Sequence, residues 1–295
     1  MFDFYKENNI PCFGVAGNFT GHLEQAGEAV DFAKMKVSDK NAPKAIFPTF
    51  IPKSINSITP EFLTVFPFSD SKIIFPKETN STDDKLQIES ECAIIFKAVW
   101  KEDPYNSFRK ILADLQPVGF GASNDCSIRK AGAKKISLKK NWGIFSKGLS
   151  SNIISLNKFE KGCILDDYRI ASYLIRDDKI FVYGENSEIK TYSYIYEKLT
   201  EWLIDKFNNQ QDDGPAENIY EYLKDSGFPE KIMISIGATR YTDFGENNFL
   251  QNGDISCVIL YPQSKYSEKE IEEKLKNKIF PDDISALIQN VVMPS

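Results

Sequence analysis

The chain has 295 residues, of which 42% are hydrophobic and 13% aromatic, enough for a substantial core in one large or two small domains. Its formal net charge of −6 argues against a nucleic-acid partner, and no apolar run approaches the length of a membrane span. The five cysteines, at 12, 92, 126, 163 and 257, include no Cys-x-x-Cys pair, so a zinc knuckle is not expected. Reduced thiols and an N-terminus without the basic and apolar regions of a signal peptide fit a cytoplasmic protein.

Residues 12–17 read as a short buried strand. Asn18 or Thr20 can cap a helix running through His22 and Gln25. Residues 34–61 carry Pro43, Pro48, Pro52 and Pro60 among Lys, Ser and Asn, and read as an irregular surface insertion. A polar loop over 77–85 leads into a strand with the buried run Cys92 to Phe96. A short helix is expected over 104–113 after Pro104. Strands follow at about 117–123, 152–156, 170–175 and 179–183, the last two joined by a hairpin turn at Asp177-Asp178. Residues 194–207 place Ile195, Leu199, Leu203 and Phe207 at helical spacing. A second helix is expected over 215–225, with Pro215 in its first turn and Gly227 just past its end. Strands at 231–236 and 254–260 come next. Ser267-x-x-Glu270 has the form of a capping box and opens a C-terminal helical extension over 264–295. Many short strands and few helices predict a β-rich α+β fold.

The chemistry concentrates in Leu86-Gln-Ile-Glu-Ser-Glu-Cys-Ala-Ile-Ile-Phe96. Residues i and i+2 of a strand share a face, so Glu89 and Glu91 should lie side by side at the entry to an apolar run. Two like charges there are unfavourable unless something cationic sits between them. A hard divalent cation with oxygen ligands is the simplest candidate; a solvated edge-strand face is the plain alternative. Further on, Asn124-Asp125 ends a glycine-containing apolar run. It is either a strand-terminating turn or the source of a third carboxylate for the same ion. The lysines in 129–140 (Lys130, Lys134, Lys135, Lys139 and Lys140) read as a solvated loop in preference to a phosphate-binding patch.

Several segments together carry a family resemblance. Gly14-Val-Ala-Gly-Asn-Phe-Thr-Gly-His22, Ile88-Glu-Ser-Glu-Cys-Ala-Ile-Ile95, Gly121-Ala-Ser-Asn-Asp-Cys-Ser-Ile-Arg129, Trp142 followed by Lys147, Ile232-Met-Ile-Ser-Ile-Gly-Ala-Thr239 and Phe249-Leu-Gln-Asn-Gly-Asp254 stand in the order of the motifs of the fumarylacetoacetate hydrolase (FAH) family. The chain resembles a divergent member over roughly residues 12–262. The resemblance implies a single FAH-like domain over 1–295, built of curled mixed β-sheets with peripheral helices and a metal at one mouth. It implies Mg2+ or Mn2+ on Glu89, Glu91 and Asp125, and a homodimer.

The activity so implied is hydrolysis of a carbon–carbon bond, or decarboxylation, in a small 2-oxo acid or 1,3-dicarbonyl acid through a metal-stabilised enolate. Tautomerase or isomerase chemistry on an oxo acid, and a binding protein that kept the fold without turnover, are the alternatives. Lys147 is either an outer-shell charge toward the substrate or a solvated lysine. Arg129 is either a clamp for a substrate carboxylate or half of a structural salt bridge. Thr239 stands where the family has its substrate-side Thr-Gly-Thr-Pro turn. His22, the chain's one histidine, takes the catalytic position; the glutamate three residues on, which pairs with that histidine in the hydrolases and decarboxylases, is here Gln25. An amide can orient the ring but stabilises imidazolium less than a carboxylate does. Lys130 stands where the family has aspartate.

Overall fold

The computed structural model describes residues 2–7, 9–27, 39, 41–53, 58–77, 85–129 and 133–294. Two mixed sheets dominate. The larger runs in the order Ala45–Phe50, Cys12–Ala16, Lys231–Ser235, Ser90–Asp103, Asn106–Asn124, Lys147–Leu149, Phe68–Ser69, with Ile154–Ser155 also paired to Asn106–Asn124. The smaller runs Lys179–Glu188, Tyr168–Arg176, Ile255–Pro262, Ser285–Val292, Lys72–Ile74. A short ladder joins Leu86–Gln87 to Ser127–Ile128. The expected β-rich fold of curled mixed sheets is what forms.

The central feature is one long hairpin. Ser90–Asp103 and Asn106–Asn124 pair antiparallel around a two-residue turn at Pro104-Tyr105. The helix expected over 104–113 is therefore a strand. Asp103 and Asn106 accept hydrogen bonds from the backbone N–H groups of Tyr105 and Phe108 at 2.9 and 3.1 Å, which is turn chemistry. Three register shifts, at Ile95/Phe96, Val99/Trp100 and Glu102/Asp103, set the pairing at the open end, where Ser90 faces Asn124 and Glu91 faces Ser123.

Three other expectations change. Ala45–Phe50, inside the segment read as a surface insertion, is a buried strand paired to Cys12–Ala16. It lies at the edge of its sheet, where Pro48, lacking an N–H, is tolerated; residues 34–38, 40 and 54–57 of that segment lie outside the described ones. The C-terminal extension is helical only over Glu268–Asn277, with the expected capping box at Ser267. It then returns as Ser285–Val292, an inner strand of the smaller sheet. The helix at His22–Gln25 is a single turn entered through Gly21 at φ 86°, with no side-chain cap from Asn18 or Thr20. Asn18 instead bridges the backbones of Tyr194 and Ile236.

The remaining helices follow their apolar spacing. Tyr196–Asn209 buries Leu199, Leu203 and Phe207. Ile219–Asp225 starts later than expected, at an Asn218 cap, so Pro215 precedes it. Gly227 past its end takes φ 77°. The Asp177-Asp178 turn has φ of 51° and 59°, the signature of a two-residue hairpin turn. The five cysteines are free thiols. No helix among the described residues is long and apolar enough to cross a membrane.

Candidate metal centre

The open end of the long hairpin brings the acidic residues together. Glu91 is the second residue of one strand and Asp125 follows the last residue of the other, so residues 34 positions apart in sequence become neighbours across a ladder. Glu89 lies just before the strand, in the two-residue break between the Leu86–Gln87 ladder and Ser90. Its N–H donates to the Asn124 side chain at 3.1 Å, and its carbonyl accepts from the Asp125 N–H at 3.0 Å. Asn124 is thus the strand terminator of one reading, and Asp125 beside it joins the other two carboxylates. One carboxylate oxygen from each of Glu89, Glu91 and Asp125 lies within 4.8 Å of the others, and all three residues are buried.

Three cations surround two of these carboxylates. Arg129 meets Glu89 at 2.9 Å, Lys147 meets Asp125 at 2.8 Å, and Lys140 touches both, at 2.5 Å to Glu89 and 2.8 Å to Asp125. Burial alone would raise the Glu89 carboxyl; Lys140 and Arg129, with help from His22, outweigh it and hold that carboxyl well below its usual range. Glu91 has the opposite environment. It accepts one N–H, from Gly237 at 2.8 Å, and has no ion pair among the described residues. Burial, then Asp125 and Glu89 beside it, push its carboxyl well above the usual range. Burial also lowers the Lys147 ammonium, against the pull of Asp125.

Hard oxygen donors, mutual distances compatible with one coordination sphere, and a third carboxylate without a cation fit a hard divalent ion such as Mg2+ or Mn2+.

The other expected site residues fall around this cluster. Lys147 is fully buried over the Trp142 ring and donates to the Cys126 carbonyl as well as pairing with Asp125, so it is not a solvated lysine. Arg129 makes the salt bridge to Glu89 and donates to Gln87 at 2.6 Å and to the Tyr241 hydroxyl at 2.7 Å. Thr239 is buried, its hydroxyl 2.9 Å from that of Ser90 between the two glutamates. His22 is buried with its ring 5.2 Å from that of Tyr241. Gln25 does not orient it: its amide accepts from the Tyr241 N–H at 2.9 Å and donates to the Tyr241 carbonyl at 3.1 Å and to Glu246 at 3.3 Å. Lys130 lies outside the described residues. Asp254 of the late Gly-Asp motif pairs with Arg176 at 2.7 Å and contributes no ligand to the cluster.

Lys140 is the residue that sequence reasoning missed. Both Lys139 and Lys140 are buried, where a solvated loop was expected. Lys140 follows a single 3-10 turn, Ile136–Lys139, and its ammonium lies 5.2 Å from the centre of the Phe47 ring. Phe47 in turn lies against Gly14, whose missing Cβ would fall 2.3 Å from the ring. The usable signal was position: Lys140 stands two residues before Trp142 in the segment that the family resemblance places beside the metal.

Two solved structures share this architecture. Cg1458, solved with an inhibitor, is 14% identical with a TM-score of 0.53, over 96% of this chain and 77% of that one. The apo form of 2-keto-3-deoxy-D-arabinonate dehydratase is 12% identical with a TM-score of 0.51, over 98% of this chain and 74% of that one. The chain thus has the FAH-like fold that the sequence resemblance implies. Residues 28–291 match the model of a family of unknown function, DUF5718, and the chain belongs to that family. No curated protein matches it by sequence.

Proposed function

We propose that the protein is a divalent-metal-dependent enzyme that cleaves a carbon–carbon bond in a small 2-oxo acid or 1,3-dicarbonyl acid, by hydrolysis or decarboxylation. The observation that carries this reading is the buried convergence of Glu89, Glu91 and Asp125, with Glu91 lacking a cation. A Mg2+ or Mn2+ ion on these residues would supply Lewis acidity toward two adjacent substrate oxygens. The chain's own residues supply the rest. Arg129 and Lys147 hold Glu89 and Asp125 in place. His22, whose charge acts on Glu89, is the group we assign to move a proton. Thr239, held by Ser90, presents polar groups beside the glutamates. The name of one structural neighbour, a 2-keto-3-deoxy-D-arabinonate dehydratase, is in keeping with an oxo-acid substrate class.

Adding Mg2+ or Mn2+ is expected to raise the melting temperature by a few degrees, since a ligand at 100 times its Kd stabilises the folded state by about 2.7 kcal/mol. Glu91→Ala is expected to abolish the rise. No shift at millimolar metal would remove the reading.

A second reading, tautomerase or isomerase chemistry, is favoured by Gln25. It is engaged with Tyr241, so the pair that activates water in the hydrolases is not formed from His22 and Gln25. Keto–enol exchange needs one proton shuttle and no activated water. Oxaloacetate decarboxylation, acylpyruvate cleavage and keto–enol exchange of a 2-oxo acid by NMR, each compared with His22→Ala, separate the two. Exchange without product release selects the isomerase; equal rates in both proteins would defeat the role given to His22.

A further inference from the structure

Lys140 stands in contact with two of the three carboxylates that would hold the ion. Its ammonium reaches Glu89 Oε2 and Asp125 Oδ2 at once. Each of those carboxylates already has a second cation, Arg129 on Glu89 and Lys147 on Asp125. Lys140 is therefore the shared charge, the bridge between them, which is also the part a divalent ion would play. With it, Glu89 and Asp125 together meet three buried or part-buried cations, and Glu91 has no ion pair among the described residues. An ammonium this deeply buried persists only where it is paired. Two cations in one such gap repel each other strongly, because the low dielectric of a buried site screens them poorly.

Lys140 is carried on a flexible four-carbon stem just past a single 3-10 turn, with its backbone N–H bonded to the Ser137 carbonyl at 3.0 Å.

We propose that Lys140 is a tethered counter-ion of the Glu89–Glu91–Asp125 cluster: it holds the carboxylates together when no divalent cation is bound, and a divalent cation enters by displacing it. Metal uptake is then an exchange of one charge for another, and the fold does not depend on metal. This inference rests on the reading of the cluster as a cation site.

Mn2+ binding by the full chain, stripped of metal with EDTA, tests it by titration calorimetry on the parent, Lys140→Met and Lys140→Gln. Both variants are expected to bind Mn2+ at least ten times more tightly than the parent. In EDTA both should melt several degrees below the parent, and Mn2+ should restore the difference. If the parent binds Mn2+ and neither variant binds it more tightly, the exchange is overturned and the metal site stands. If only the variants bind, Lys140 holds the gap without yielding it to metal, and both the exchange and the metal-dependent reading of the parent fail. If none binds, both fall. Should Lys140→Met fail to fold, Lys140→Gln, which keeps a polar end group and removes the charge, carries the comparison. Variants that fold only with Mn2+ present support the proposal, and variants that fail to fold even with Mn2+ overturn it.

Discussion

Glu89 and Glu91 show how two identical side chains, two positions apart, come to opposite states. Glu89 is flanked by Arg129 and Lys140, and Glu91 by other carboxylates and one N–H. The pairing of acids was legible from their spacing. The cations were not, because a lysine in a charged run looks the same whether its end group meets water or a carboxylate. Glu217 is a second case of burial acting on a carboxyl. It accepts from the hydroxyls of Ser137 at 3.0 Å and Tyr222 at 3.3 Å, and burial pushes it up to about 7. Its folded value exceeds its unfolded one, so the folded state holds the extra proton between them. The stability it contributes is fully present below about pH 4.5 and is lost as pH rises through about 7, at most about 3 kcal/mol. Glu217→Gln is expected to be more stable than the parent at pH 8 and equal to it near pH 4.5, as read by urea unfolding. A difference independent of pH would contradict this.

The elements are held to the site by side chains that cross between sheets. Gln289, on the Ser285–Val292 strand, donates to the carbonyls of Ser69, Lys72 and Lys147 and accepts from Asn124 at 3.2 Å. Asn124 passes the order on by accepting from the Glu89 N–H. The fit is close, since a Cβ on Gly148 would fall 2.5 Å from the Gln289 amide. Gln289→Ala leaves buried partners unsatisfied and is expected to cost at least about 2 kcal/mol by denaturant titration; a loss under about 0.5 kcal/mol would show that the strand is not tied to the site. The sequence disclosed the capping box at Ser267 because that signal is local. It did not disclose that the chain returns as an inner strand, because Ser285–Val292 becomes a strand through pairing with Ile255–Pro262 and Lys72–Ile74, both remote in sequence. Residues 104–113 misled for the same reason: a proline followed by mixed residues fits a helix start, and the long partner strand decides otherwise.

At the scale of the whole molecule, the order and spacing of short motifs identified the FAH fold where no single motif was specific. What made the acidic cluster legible is that its members lie together at the open end of one hairpin, at the start of its first strand and just past the end of its second. The fold has only to close that hairpin in register for the carboxylates to meet. Lys140, His22 and Gln25 reach the site from other parts of the chain, and their contacts depend on packing that no local pattern encodes. Metal-dependent chemistry here requires the cluster to be a cation site. A crystal soaked with Mn2+ and oxalate, examined by anomalous scattering, tests this most directly. One manganese peak bonded to oxygens of Glu89, Glu91 and Asp125, with oxalate on its open side, is the predicted result. No peak there at millimolar Mn2+ would contradict it.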